Sequence, residues 1–322
     1  MTSLDRPRSL GDFRIVDQIA EGGMGLVYRA IDTASSRAVA LKTTRRASRA
    51  ETHGLLCEGA ALGQLRHPGI VQMLARGRQG GAPWIALELL EGRTLQDEID
   101  AIWAASASRN GPRTLKQRRL DDTPTSPLRA VHAPPGKRRV PRDGRPPAAA
   151  GHLGDVRSIF VQLAEILDHV HARGLVHRDI KPSNIFLRAT DSGSVRVTLL
   201  DFGLACRATT QPRKRAGLCV GTMEYASPEQ IVGDPVDGRA DVYALGCVLY
   251  ELITGVRPFE GRSRRELARE HLCRSPLPPS LLVSGLSRAI DELVLEMLAK
   301  DRAMRPQTAG AATARLERAF AS

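Results

Sequence analysis

Aromatic side chains are scarce in this sequence: six Phe, four Tyr and two Trp make up 4% of its 322 residues. Aliphatic packing must therefore form most of any core, and there is no run of interleaved aromatic and basic residues of the kind that stacks nucleic-acid bases. Cysteine is sparse too. The five cysteines (Cys57, Cys206, Cys219, Cys247 and Cys273) are scattered and never arranged as C-x-x-C, which argues against a disulfide framework or a zinc site and for a reducing compartment. The first residues, "MTSLDRPRSLGDF", carry no apolar leader segment. No apolar run approaches the ~18–20 residues that a membrane span requires. These absences predict a cytoplasmic protein with no membrane partner.

What is abundant is positive charge, +12 in total, and its location matters more than its sum. Between Ala104 and Ala150 there are eleven Lys or Arg against three Asp, a balance of +8. This stretch includes "APPGKRRVPRDGRPP" (133–147) and is too rich in Pro, Arg and Gly to bury the surface that offsets chain entropy. It is expected to be a disordered insert over about 104–151. The remaining chain is only mildly basic, so net charge gives little reason to expect a specific nucleic-acid partner.

On either side of the insert the patterns differ. Phe13, Ile15 and Ile19 alternate, and "LVYRA" (26–30), "AVALK" (38–42), "IVQML" (70–74) and "WIALELL" (84–90) have strand length, with a helical stretch over 48–65. Beyond the insert, helical spacing dominates: Ile159, Leu163, Ile166, Leu167 and Val170; Val242, Leu245, Leu249, Leu252 and Ile253; Ile290, Leu293, Val294, Met297 and Leu298. "VRVTLL" (195–200) predicts a strand ending just before an Asp. The expected fold class is α+β, with a small β-rich N-terminal part and a larger helical C-terminal one.

Four short motifs carry chemistry. "AEGGMGLVY" is a Gly-rich turn between two strands, and "VALK" places Lys42 on the next strand. "HRDIKPSN" (177–184) puts Asp179, Lys181 and Asn184 on one loop, and "DFG" begins at Asp201, seventeen residues after Asn184. Each motif alone is weak, but this order and these separations are very improbable by chance.

With these motifs, and with "GTMEYASPEQ" and "DVYALGCVLYELITGVRPF" after them, the chain resembles the eukaryotic-type Ser/Thr protein kinases, their bacterial branch in particular. The resemblance runs from Asp12 to the C-terminus apart from the insert. It implies a bilobal fold: residues 1–11 as a short extension, 12–90 as N-lobe and hinge, and 91–320 as C-lobe interrupted by the insert. It implies ATP and Mg²⁺ (or Mn²⁺) as cofactors and protein Ser/Thr hydroxyls as acceptors. Phosphoryl transfer needs positioning and charge neutralisation more than covalent help.

By the same resemblance, the loop residues Ala20, Glu21, Gly22, Gly23, Met24 and Gly25 close over the phosphates, with Ala20 replacing the first of the family's three glycines. Lys42 contacts the α- and β-phosphates and is held by a carboxylate, Glu58 or alternatively Glu51. Val27, Ala40, Leu87, Phe186 and Leu200 line an adenine slot, with the main chain of Glu88 and Leu90 as hydrogen-bonding groups; Phe186 is bulkier than the family's usual aliphatic residue. Asp201 and Asn184 are the metal ligands, hard oxygen donors that suit Mg²⁺. Asp179 orients the substrate hydroxyl and accepts its proton. Lys181 and Thr222 mark Ser/Thr specificity. His177 reads as a packed structural histidine, Glu229 as the ion-pair partner of Arg305, and Asp241 as a cap on the catalytic loop.

The resemblance also makes Arg178 the acceptor of an activation-loop phosphate, on Thr209 or Thr210, which implies autophosphorylation and a homodimer in which it occurs. The insert, with Thr123, Thr125 and Ser126 as further acceptors, is expected to be a docking site for a regulatory partner. Three alternatives compete. A pseudokinase or scaffold would lack Lys42, Asp179, Asn184 or Asp201, and all four are present. A nucleic-acid protein would need a binding motif beside its charge. A small-molecule kinase would lack the long segment between "DFG" and "SPE" and the Thr222 element.

Overall fold

Phe13 and Ile15 share the core side of an antiparallel sheet, and register shifts between Ile15 and Asp17 and between Gln18 and Ala20 break the alternation before it reaches Ile19. The structure, a computed structural model, describes residues 8–22, 25–45, 48–108, 149–190, 193–207 and 222–321. These divide into two compact units, 8–66 with 71–91, and 67–70 with 92–321.

The first unit contains β1 (Ser9–Leu10), β2 (Phe13–Gly22), β3 (Gly25–Asp32), β4 (Ala38–Thr43), helix α1 (Arg49–Leu62), β5 (Met73–Gln79) and β6 (Ala82–Glu88). The sheet order is β1-β2-β3-β4-β6-β5, antiparallel throughout. Side chains alternate across a strand, so Tyr28 and Ala30, Val39 and Leu41, and Trp84 and Ala86 share one face. There they form a core with Leu10 and Phe13. Phe13 meets Trp84 edge-on, with ring centroids 5.5 Å apart. Gly77 makes room for the indole, since a Cβ at that position would lie 2.3 Å from the ring. Helix α1 begins where the Ser48 hydroxyl accepts the Glu51 N–H. It packs near the opposite face, where a Cβ on Gly59 would be 3.4 Å from Ile85.

The second unit contains β7 (Arg93–Thr94), α2 (Leu95–Ser108), α3 (Ala149–His171), β8 (Leu175–Val176), β9 (Ile185–Ala189), β10 (Val195–Leu199), β11 (Cys206–Arg207), α4 (Pro228–Val232), α5 (Arg239–Thr254), α6 (Arg264–Cys273), α7 (Arg288–Met297) and α8 (Ala309–Ala321). Its two small sheets have the orders β10-β9-β7 and β11-β8. Helix α5 is buried on every side from Ala240 to Thr254, which makes it the axis around which the unit packs. Gln162 on α3 ties that helix to β10 by accepting the Val197 N–H and donating to the Val195 carbonyl. Asp168, one turn and a half further on, accepts the Ala309 and Gly310 N–H groups and so caps α8. No helix among the described residues is long and apolar enough to cross a membrane.

Two sequence expectations are changed. The run "IVQML" is not a strand throughout: Ile70 forms an isolated bridge with Leu199 in the second unit, and regular pairing in the first starts only at Met73. The insert expected over about 104–151 overlaps the end of α2 and the start of α3. The part between them lies outside the described residues, as do Gly23, Met24, Thr209 and Thr210.

Candidate active site

In the first unit, strand register gathers several of the expected nucleotide-binding side chains. Val27 is paired with Lys42, Ala40 with Leu87, and Lys42 with Ile85, which puts Val27, Ala40, Lys42 and Leu87 on one face of the sheet. It is the face opposite the core that holds Val39, Leu41 and Trp84. Lys42 Nζ is 2.7 Å from Glu58 Oε2, and both residues are buried, at 7% and 1% exposure. Glu51 is engaged elsewhere: its carboxylate accepts the Arg45 N–H at 3.1 Å.

The Gly-rich turn has a backbone requirement of its own. Gly25 has φ of 126°, and a Cβ there would lie 2.1 Å from the Thr43 carbonyl oxygen, so no other residue fits without moving β4. Ala20, by contrast, faces Val27 across β2–β3 and has no left-handed backbone. Alanine in place of the family's first glycine therefore carries no conformational cost. Glu21 is exposed, and the Arg45 guanidinium, with help from Gln18, holds its carboxyl below the ordinary value. The Glu88 N–H donates to the Gln72 carbonyl at 2.9 Å. A donor to a nucleotide base must therefore come from another residue's main chain, Leu90 being the other one expected.

The second unit carries the loop on which Asp179, Lys181 and Asn184 lie. Asp179 is 4% exposed and surrounded by donors. Its Oδ2 receives Lys181 Nζ at 2.7 Å and Asn184 Nδ2 at 3.0 Å, while Oδ1 accepts the Thr222 N–H at 3.4 Å. Lys181 Nζ also reaches Thr222 Oγ1 at 2.7 Å. Four of the expected residues, Asp179, Lys181, Asn184 and Thr222, thus form one hydrogen-bonded group.

The loop backbone is held just as closely. Buried Asp241, near the start of α5, accepts the His177 N–H on Oδ2 and the Arg178 N–H on Oδ1, both at 2.8 Å. Its Oδ2 also pairs with His171 Nε2 at 2.8 Å. Burial pushes the His171 pKa down, but the hydrogen bond and charge of Asp241, with Asp168 and Asp237, outweigh it and raise the value above normal. For Asp241, burial is likewise outweighed, by the His171 hydrogen bond and charge, and its pKa falls. His177 is fully buried. Its Nδ1 accepts the Asp179 N–H at 3.3 Å and its Nε2 donates to the Leu200 carbonyl at 3.1 Å, which places the ring proton on Nε2. Its ring meets Phe202 edge-on at 4.6 Å.

Asp201 has φ of 57°, a left-handed conformation that costs about 1–2 kcal/mol for a non-glycine residue and is best tolerated by Asn and Asp. Its Oδ1 accepts the Gly203 N–H at 3.3 Å. Just before it, the Leu200 N–H donates to the Asn184 carbonyl at 2.8 Å, which ties the backbone of one expected metal ligand to the residue preceding the other. Phe186 is buried in β9 with its ring against Gly92, where a Cβ would be 3.0 Å from Cε1 and 2.1 Å from the Leu187 carbonyl. Gly92, absent from the sequence reading, gives the larger side chain its space. Gln230 was missed as well. Its amide donates to the Arg178 carbonyl at 2.9 Å, and the legible trace of it is the S-x-x-Q capping pattern from Ser227.

Glu229 and Arg305 form a bidentate pair at 2.7 and 2.8 Å with both side chains buried. Among the described residues, no cluster of three or more His, Cys, Asp or Glu could hold a metal ion unaided.

Comparison with known proteins agrees with this geometry. Residues 147–316 match the family described as protein kinase domain, and residues 16–209 match the phosphotransferase enzyme family. The two matches overlap across residues 177–184 and Asp201, and only the first continues through Thr222, Glu229, Asp241 and Arg305. The chain is 34% identical over 93% of its length to a probable serine/threonine-protein kinase of Corynebacterium efficiens, covering 40% of that protein. It is 32% identical over 94% of its length to the serine/threonine-protein kinase PknB of Mycobacterium leprae, covering 42% of it. To Pkn1 of Myxococcus xanthus it is 32% identical over 90% of its length, covering 36% of that kinase. The chain thus spans about two fifths of the length of the curated relatives it matches. A β-rich unit with a buried Lys–Glu pair, a helical unit built around a donor-surrounded Asp, and the match through the helical unit lead to one assignment: the chain belongs to the protein kinase family.

Proposed function

We propose that this chain is an ATP-dependent serine/threonine protein kinase, transferring the γ-phosphoryl group of ATP to hydroxyls of protein substrates and of its own activation segment. The observation that carries this reading is the Asp179 group: a buried carboxylate held by Lys181, Asn184 and the Thr222 N–H. Such an arrangement suits a group that must point at one hydroxyl and take its proton as the oxygen attacks phosphorus. In that step the substrate O–P bond forms, the bond from the γ-phosphorus to the bridging oxygen breaks, and the proton passes to Asp179. Lys181, between Asp179 and Thr222, offsets charge on the transferring phosphoryl group. Lys42, fixed by Glu58, does the same for the α- and β-phosphates.

The residues present fit a divalent cation. Asn184 directs Nδ2 to Asp179, leaving an amide oxygen, and Asp201 supplies a carboxylate. These are hard donors, and Mg²⁺ typically takes one or two protein oxygens and completes its shell with phosphates and water. Bound there, Mg²⁺ (or Mn²⁺) supplies neutralisation of the nucleotide's charge.

The test is incorporation of labelled phosphate from Mg-ATP by the purified full chain beside Asp179→Asn and Lys42→Met variants. Each substitution is expected to lower incorporation by about 10²-fold or more, and phosphopeptide mapping of the wild-type reaction should find Thr209 or Thr210. Equal incorporation in all three proteins overturns the proposal. Nucleotide binding without incorporation would favour the scaffold reading.

A further inference from the structure

Resting on the kinase reading above, we infer that Gln230 is a positioning residue for phosphoryl transfer: through the Arg178 carbonyl it fixes the peptide plane that leads into Asp179. Two halves of one amide do this. Gln230 Oε1 accepts the Ser227 N–H at 3.1 Å, which by itself orients the side chain at the start of α4, and also accepts the Ser227 hydroxyl at 3.0 Å. The same amide's Nε2 is thereby turned to the Arg178 carbonyl at 2.9 Å.

That carbonyl sits at a point of stored strain. Arg178 has φ of 69°, one of three non-glycine residues in the left-handed region among those described, a conformation that persists only when its surroundings over-determine it. Asp241 holds the Arg178 N–H on one side, and Gln230 holds its carbonyl on the other. The Arg178 carbonyl and the Asp179 N–H belong to one planar peptide unit. Turning the carbonyl therefore turns the Asp179 N–H away from His177 Nδ1, a contact already long at 3.3 Å, and swings the Asp179 carboxylate off its donors. Among the described residues, Gln230 is the one side chain that donates to the Arg178 carbonyl. Helix α4 is itself anchored, since its Glu229 is paired with buried Arg305. Gln230 thus joins the segment that begins at Thr222 to the catalytic loop at a second point, beyond the bonds that Thr222 makes to Asp179 and Lys181.

The experiment compares wild type with Gln230→Met, which keeps the length but has no donor, and with Ser227→Ala, which removes the hydroxyl from the same helix cap but leaves the Ser227 N–H on Gln230 Oε1 to orient the amide and the Nε2 bond to Arg178. Steady-state kinetics use Mg-ATP with dephosphorylated casein as acceptor, and thermal melts of the full chain accompany them. For Q230M, kcat is expected to fall about tenfold with the KM for ATP within about twofold, the size of effect that loss of one hydrogen bond in the transition state produces. S227A should lower the melting temperature to a similar degree but keep kcat within about twofold. Should Q230M fail to fold, Gln230→Glu still accepts from Ser227 but has no proton for the Arg178 carbonyl, and the same loss of kcat is expected. A wild-type kcat in the Gln230 variant, or an equal kcat loss in S227A, overturns the inference. A wild-type chain that incorporates no phosphate overturns instead the kinase reading beneath it.

Discussion

Removing Glu229 should cost the second unit a large part of its stability. Arg305 is among the largest fully buried side chains, and its guanidinium is engaged all round. Besides the two bonds to Glu229, its Nε donates to the Ala299 carbonyl at 2.8 Å, and its terminal nitrogens donate to the Arg239 and Lys300 carbonyls at 3.0 and 3.1 Å. The guanidinium carbon also lies 4.9 Å from the Tyr243 ring centroid. Glu229→Ala would leave this cation buried without its counter-charge, a change that typically costs about 3–5 kcal/mol. The three carbonyls and the ring still solvate the cation, which puts the expected value near the lower end, about 3 kcal/mol, out of a total of about 5–15. Arg305→Met should cost more, because it strands the Glu229 carboxylate and takes a donor from the Ala299 and Lys300 carbonyls, which lie outside any helix. The double variant should recover little, since those carbonyls stay unpaired whether or not Glu229 is present. Urea unfolding followed by circular dichroism reads this directly: with a slope of about 2–3 kcal/mol/M, the E229A midpoint should fall by about 1–1.5 M. A midpoint within about 0.3 M of wild type, or a double variant as stable as wild type, would refute the reasoning.

Gly25→Ala should weaken binding of a fluorescent ATP analogue by about tenfold or more, because the new Cβ meets the Thr43 carbonyl at 2.1 Å on a left-handed backbone; Ala20→Gly should change it less than about twofold, and a G25A affinity equal to wild type would contradict the backbone argument. His271 should dominate the acid limb of stability. It is fully buried, with Nδ1 3.0 Å from the Tyr243 hydroxyl and its ring 4.7 Å from that of Phe259, and burial, followed by the nearby Lys300 charge, pushes its pKa down to about 3. The folded protein therefore keeps this ring neutral while the unfolded chain protonates it near pH 6.5, so stability falls as pH drops below that value, by about 2 kcal/mol at pH 5. His171 acts in the opposite sense: its pKa is raised, so its contribution is complete below pH 6.5 and is lost as pH rises through the folded value. Since His171 is common to both proteins, the difference between wild type and His271→Phe in urea midpoints at pH 7 and pH 5 isolates His271, and parallel shifts in the two proteins would rule the assignment out.

Much of this site was legible because its chemistry comes in short local strings. Asp179, Lys181 and Asn184 lie within six residues, and the fold brings Lys181 and Asn184 onto the Asp179 carboxylate with no long-range information needed. Glu58 and Glu51 show where local reading stops. Seven residues apart, they fall on the same face of α1, so helical periodicity does not separate them; about 10 Å of helix does. Glu51 lies in the first turn beside Arg45, and Glu58 lies two turns on, opposite Lys42. The run "IVQML" failed for a different reason. Its apolar residues serve two units, with Ile70 bridged to Leu199 and Met73 paired with Leu87, and an apolar run carries no mark of which core each residue enters. The amide of Gln230 combined both cases: its capping role follows from spacing, while its bond to Arg178 is tertiary.

His177 was read as structural rather than catalytic, and the loop shows why that division is too coarse. Three side chains, one from α5, one from α4 and one from the loop itself, hold successive groups of one short backbone: Asp241 takes the His177 and Arg178 N–H groups, Gln230 the Arg178 carbonyl, and His177 the Asp179 N–H. None of the three needs to touch a substrate. Yet a buried backbone group that loses its partner costs about 1–3 kcal/mol, and here that cost would be relieved most directly by rotation of the peptide units that aim Asp179. The strained φ at Arg178 supplies the tendency to rotate, and the three hydrogen-bonding side chains oppose it. On the proposed reading, packing and catalysis meet in the same residues because a carboxylate that must stay within hydrogen-bonding reach of one hydroxyl inherits its precision from the backbone beneath it.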